Sequence, residues 1–249
     1  MADKTNEILV NVVLDRSGSM GPTRAGTISG YNEYLNGLRA DKDSSYFVSL
    51  TQFDAPMTAP ELTITYLDRP LSEVTDLTAE QYEPRGNTPL YDAIGECVRR
   101  VEPKGRAVIC LIITDGAENA SREFTAESIK KLIAEKEKEN WQFVFLGANI
   151  DSFGVGASLG MNAAYTANYA QGHEKAMFAA VADSSLRFAG SVRTFGASSP
   201  QARASLSFKS VERDAMMGGR PAAPPPFQTQ PHAPRKEEPK KRDWKVSSD

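Results

Sequence analysis

Asp15, Ser17 and Ser19 stand in an Asp-x-Ser-x-Ser spacing directly after the apolar run Ile8 to Leu14. One carboxylate and two hydroxyls on a tight turn at a strand end offer only hard oxygen donors. That set suits Mg²⁺ or Mn²⁺ and does not suit a thiolate-preferring metal. Alone, the triplet is more often a turn and helix cap, because Asp and Ser favour both. Two later stretches change the balance. Gly86-Asn-Thr-Pro-Leu90 supplies Thr88, and Ile113-Thr-Asp-Gly116 supplies Asp115. The two histidines, His173 and His232, lie far apart in the chain, so a zinc site is not expected.

These donors need a scaffold that brings three distant loops to one edge. Ile8 to Leu14 and Ala107 to Ile113 are almost continuously apolar, as strands buried on both faces are. Tyr46 to Phe53 reads as a further strand. Glu61 to Leu67 alternates apolar and polar residues, as a half-exposed strand does. The link between them, Asp54 to Pro60, is too short for a helical crossover, so this pair is expected to be antiparallel and at the sheet edge. Gln142 to Leu146 and a weaker segment, Ala164 to Thr166, complete six strands.

Helical stripes fall between them. Ile28, Tyr31, Leu35 and Leu38 share one face, and Leu90, Ile94, Cys97, Val98 and Val101 share another. Thr125 is placed to cap a third helix, and a long helix runs from about Glu174 to Phe188. The alternation predicts an α/β fold, a mostly parallel doubly wound sheet with helices on both faces. Ligands of such sheets bind beyond the C-terminal strand ends, where Asp15, Thr88 and Asp115 fall.

The 249 residues are 40% hydrophobic and 24% charged, with a net charge of −3, so nothing global points to nucleic acid. No apolar run approaches the ~20 residues that span a bilayer. Export signals are not evident in the first residues, which makes the cytoplasm the expected location, or the virion if the protein is phage-encoded. Cys97 and Cys110 fall in core segments, and no disulfide is expected. The expected organisation is an N-terminal extension over 1–6 and a domain over 7–198. A linker with room for one short helix would follow over 199–217. A proline-rich, charged tail over 218–249 would be disordered, with Trp244 and the preceding bases as a candidate motif for a second partner.

Asp15-x-Ser17-x-Ser19 with Thr88 and Asp115 resembles the metal-ion-dependent adhesion site of von Willebrand factor type A domains. The likeness spans roughly residues 7 to 195. It is nearest the small stand-alone bacterial and bacteriophage members, through DRSGSM, GNTPLYDAIG, ITDGAENASREFT and WQFVFLGAN. The resemblance implies a Rossmann-like six-stranded sheet in the order 3-2-1-4-5-6 with strand 3 antiparallel. It also implies that Ser17, Ser19 and Thr88 bind Mg²⁺ directly, while Asp15 and Asp115 act largely through water. The implied function is adhesion, in which an acidic residue of a partner protein completes the coordination.

Arg16, Asp54, Arg85, Glu118, Asn119 and Asp151 belong to loops at the same edge and are expected to frame the metal. Alanine at Glu118 and Asn119 is then expected to alter partner affinity and spare metal affinity. Two other functions compete. One is a structural subunit of a phage or bacterial assembly whose metal only staples the fold. The other is a metal-dependent phosphoesterase. The absence from the sequence pattern of a second carboxylate cluster, or of a histidine near the site, speaks against an enzyme.

Overall fold

The computed structural model describes residues 6–56 and 60–219. Six strands form one sheet: β1 (Glu7–Asp15), β2 (Ser45–Asp54), β3 (Glu61–Pro70), β4 (Ala107–Thr114), β5 (Trp141–Ala148) and β6 (Thr166–Tyr169). Their order is β3-β2-β1-β4-β5-β6. Only β2 and β3 pair antiparallel, and every other neighbouring pair is parallel. The central strands β1, β4 and β5 are buried along almost their whole length, which is why their sequences do not alternate.

Among the described residues seven α-helices flank the sheet: α1 (Arg24–Ala40), α2 (Leu90–Arg100), α3 (Ala126–Lys136), α4 (Ser152–Ser158), α5 (Glu174–Phe195), α6 (Pro200–Ser205) and α7 (Ser210–Met216). One face packs on α1 and α5 through Tyr31, Leu35, Met177, Phe178 and Phe188. The other packs on α2 and α3 through Ile94, Val98, Ile129 and Ile133. Cys97 and Cys110 are buried and unbridged in that second layer.

Two expectations are corrected. The sixth strand is Thr166–Tyr169, because Ala163–Tyr165 forms a 3-10 turn whose start is fixed by Asn162 Oδ1 accepting the Ala164 N–H at 2.8 Å. The supposed linker over 199–217 is part of the packed unit. Ala202, Leu206 and Met216 have no exposed surface and Phe208 has 6%. Arg187 of α5 grips Glu212 of α7 with both nitrogens, at 2.6 and 3.1 Å. Arg213 donates to the carbonyls of Ala163, Ala164 and Thr166, fastening α7 along β6. The tail from 220 onward and residues 1–5 lie outside the described residues.

Candidate metal centre

Asp15 ends β1 with its side chain fully buried. Its Oδ1 accepts the Ser17 N–H at 2.6 Å, and its Oδ2 accepts the Thr114 hydroxyl at 2.6 Å. Tyr82 donates to the Asp15 carbonyl at 2.7 Å, so backbone and carboxylate are both held. The turn that follows is zipped to the loop before α2. Gly18 N–H donates to Gly86 O at 3.0 Å, and Arg85 N–H donates to Arg16 O at 2.8 Å. Gly86 sits at φ +68°, and a Cβ there would run into the Ala55 carbonyl, so no other residue closes this turn without strain. Ala55 and Asn87 exchange two backbone hydrogen bonds at 3.0 Å, which sets Thr88 in place one residue later.

The oxygens converge. Ser17 Oγ and Ser19 Oγ lie 3.0 Å apart, and the Ser19 hydroxyl donates to Asp115 Oδ1 at 2.5 Å. A Cβ placed on Gly116 would lie 2.6 Å from Thr88 Oγ1 and 3.4 Å from Ser19 Oγ. Glycine at this position therefore lets the loop after β4 close on both hydroxyls. Asp15, Ser17, Thr88 and Asp115 are buried, while Ser19 is exposed and marks the open side.

The electrostatics favour a cation. Burial pushes the Asp15 carboxyl up to about 6, against the hydrogen bonds from Thr114 and Ser17, and the charge of Asp115 adds to the rise. Asp115 is raised as well, first by burial, and the nearby carboxylate of Glu174 contributes. Among the described residues no Lys, Arg or His forms an ion pair with either aspartate. Among the described residues no three His, Cys, Asp or Glu side chains gather around one point. The donor set here is two carboxylates and three hydroxyls. It fits a small hard cation that retains water, and it lacks the nitrogen and sulfur donors that zinc prefers.

The residues expected to frame this centre divide into three groups. Arg16 and Asp54 are not at the rim. They are 7% and 0% exposed and pair at 2.9 Å, because neighbouring strands β1 and β2 end side by side. Asp54 also binds Arg85 at 2.7 Å, and Arg85 reaches Glu61 at 2.6 Å with its side chain half open. Glu118 is occupied: its two oxygens accept the N–H groups of Tyr91, Ala120 and Ser121 and the Ser121 hydroxyl. Asn119 clamps Thr88, accepting its N–H at 2.8 Å and donating its own N–H to the Thr88 carbonyl at 3.1 Å. Asp151 is exposed and caps α4 through the Gly154 N–H at 2.9 Å.

Asn119 is exposed, so it positions Thr88 while its own surface stays open to solvent. Replacing it with alanine removes the side-chain partner of the Thr88 N–H in a part-buried hydrogen bond. Asn119→Ala is expected to cost about 0.5–1.5 kcal/mol in a denaturant melt, the net worth of one ordinary hydrogen bond. A melt indistinguishable from wild type would show that the clamp contributes nothing.

No protein-family model matches the chain, and no curated protein matches it in sequence. Solved structures match in shape. Proximal thread matrix protein 1 from the mussel byssus superposes with a TM-score of 0.52 at 14% identity, over 73% of this chain and 47% of that one. The manganese-loaded TRAP protein of Plasmodium vivax gives 0.47 at 16% identity, over 69% and 71%. A von Willebrand factor type A protein from Catenulispora acidiphila gives 0.48 at 11% identity, over 74% and 43%. The chain spans less than half the length of the mussel protein it matches. At these identities the likeness shows the fold alone, a six-stranded sheet in the order β3-β2-β1-β4-β5-β6 with one antiparallel edge. Among the described residues no helix is long and apolar enough to cross a membrane.

Proposed function

We propose that this domain is a divalent-cation-dependent protein-binding module in which Asp15, Ser17, Ser19, Thr88 and Asp115 hold Mg²⁺ or Mn²⁺. The observation that carries the reading is the convergence from three loops of three hydroxyls and two buried aspartates, with no ion pair to either aspartate among the described residues. A bound Mg²⁺ supplies a Lewis-acidic position that a partner's carboxylate can fill. The chain's own residues hold that position steady. Thr114 and the Ser17 N–H fix Asp15, Asn119 fixes Thr88, and Ser19 fixes Asp115. The partner approaches from the exposed Ser19 side, where Arg85 and Asp151 are also open to solvent. The role is binding and not catalysis, since the donors at the centre are hydroxyls and aspartates tied to one another.

Affinity capture on the immobilised full chain tests this, run in Mg²⁺, in EDTA, and in Mg²⁺ with excess free glutamate. The expected result is a protein retained by wild type in Mg²⁺ alone and lost with glutamate, with EDTA and with Asp15→Ala. Retention that ignores all three would contradict cation-bridged adhesion.

A further inference from the structure

Glu174 opens α5 and is 3% exposed. A carboxylate in the first turn of a helix is favoured by the free N–H groups there, and Glu174 Oε1 accepts the Gly172 N–H at 2.8 Å. Its burial depends on α1, because a Cβ at Gly26 would overlap Glu174 Oε2. Among the described residues no Lys, Arg or His pairs with it, and the adjacent Lys175 is taken by Glu33 at 2.7 Å. A carboxylate this deeply buried without a cation is costly.

A second group points to the same place from the sheet. Tyr169 of β6 is 2% exposed, and its hydroxyl has no hydrogen-bond partner among the described residues. Buried tyrosine hydroxyls ordinarily find one. The register aligns Thr114 with Gly147 and Gly147 with Asn168. One residue further on, Asp115, Ala148 and Tyr169 fall in one row. Ala148 and Tyr169 both face the α1–α5 layer, and Ala148 is the small side chain between Asp115 and Tyr169 in that row. Burial first, and then the charges of Asp115, Glu174 and Asp15, push the Tyr169 hydroxyl well above its ordinary range.

We propose that Glu174 and the Tyr169 hydroxyl form an inner polar layer behind Asp115 that holds the water shell of the bound cation, with the Glu174 charge setting how tightly the centre binds it. The inference rests on the cation reading given above and deepens it. Tyr169 donates to a water on the inner side, and Glu174 accepts from it. Both act as positioning residues, since neither is a direct donor to the cation. Mg²⁺ keeps several of its waters, so a layer that orders them selects for such an ion.

Calorimetric Mg²⁺ titrations of the full chain test this on wild type, Glu174→Gln, Tyr169→Phe and Asp15→Ala, each paired with a thermal melt in EDTA. Glutamine keeps the shape and the Gly172 hydrogen bond and removes only the charge. Glu174→Gln is expected to weaken Mg²⁺ about tenfold, as one unit charge acting through a partly solvated site does. It is also expected to raise the melting temperature in EDTA, because it removes an unpaired buried charge. Tyr169→Phe is expected to weaken Mg²⁺ about threefold, the scale of one hydrogen bond. A merely structural Glu174 would give the opposite sign in EDTA, a lower melting temperature, and that result overturns the proposal. Mg²⁺ binding lost in Asp15→Ala but unchanged in Glu174→Gln overturns this inference alone. Wild type that binds no Mg²⁺ overturns the cation reading and this inference with it.

Discussion

Cutting the chain after Ser198 is expected to unfold the domain, whereas cutting after Gly219 leaves its melting temperature within a few degrees of the full chain. The shorter cut removes Leu206 and Met216, which have no exposed surface, and Phe208, which has 6%. It uncovers the faces of α5 and β6 on which they pack. Each such side chain stabilises by about 1.5–3 kcal/mol on burial, so the three together approach the whole stability of an ordinary domain, about 5–15 kcal/mol. The cut also strands Arg187, which loses Glu212 and the carbonyls of Ser205 and Ser207. Leu206→Ala is the milder test, with an expected cost of about 2–5 kcal/mol. A cooperative melt of the 1–198 fragment near the full-length temperature would show that α6 and α7 are an appendage.

Without divalent cation, stability is expected to fall as pH rises from about 4 to 6 and to stay low above that. Asp15 is lifted from its ordinary value near 3.8 to about 6, chiefly by burial. Between those values the folded chain keeps a proton that the unfolded chain has released. The unfolded state therefore binds fewer protons, and the stability slope with pH is negative. The full shift is worth about 3 kcal/mol at neutral pH. The raised Asp115 acts in the same direction. Mg²⁺ is expected to reverse the loss, because a cation beside the two carboxylates compensates the charge that burial disfavours. Denaturant melts at pH 5 and 7.5, with Mg²⁺ and with EDTA, check this. A profile flat with pH, or one that Mg²⁺ does not move, would mean that the two aspartates are not under electrostatic strain.

The fold was legible because its central strands carry a strong signal. Ile8 to Leu14 and Ala107 to Ile113 are apolar throughout, and only a strand covered on both faces has a use for that. The short Asp54–Pro60 link gave the single antiparallel pair for a purely steric reason. The candidate site was legible because its oxygen-bearing residues sit directly at the ends of such strands or at a helix start, where their positions follow from the elements. What failed depends on partners distant in the chain. α6, α7 and the link between them hold only four buried apolar residues, Ala202, Leu206, Phe208 and Met216, too few for a periodic stripe, and arginines complete their anchorage. Arg16 directly follows β1 and Asp54 ends β2, and they find each other where these adjacent strands end. Glu174 reads as an ordinary acidic helix start, and its burial is set by Gly26, far back on α1.

The central claim is that the five oxygen donors hold one divalent cation. Its most direct test is a Mn²⁺ titration of the metal-free chain at pH 7.5, followed by the electron paramagnetic resonance signal of free Mn²⁺. The account predicts one Mn²⁺ bound per chain in wild type, displaced by excess Mg²⁺, and loss of that binding in both Asp15→Ala and Thr88→Ala. Free Mn²⁺ rising in proportion to total from the first addition, or binding that survives both substitutions, would contradict it.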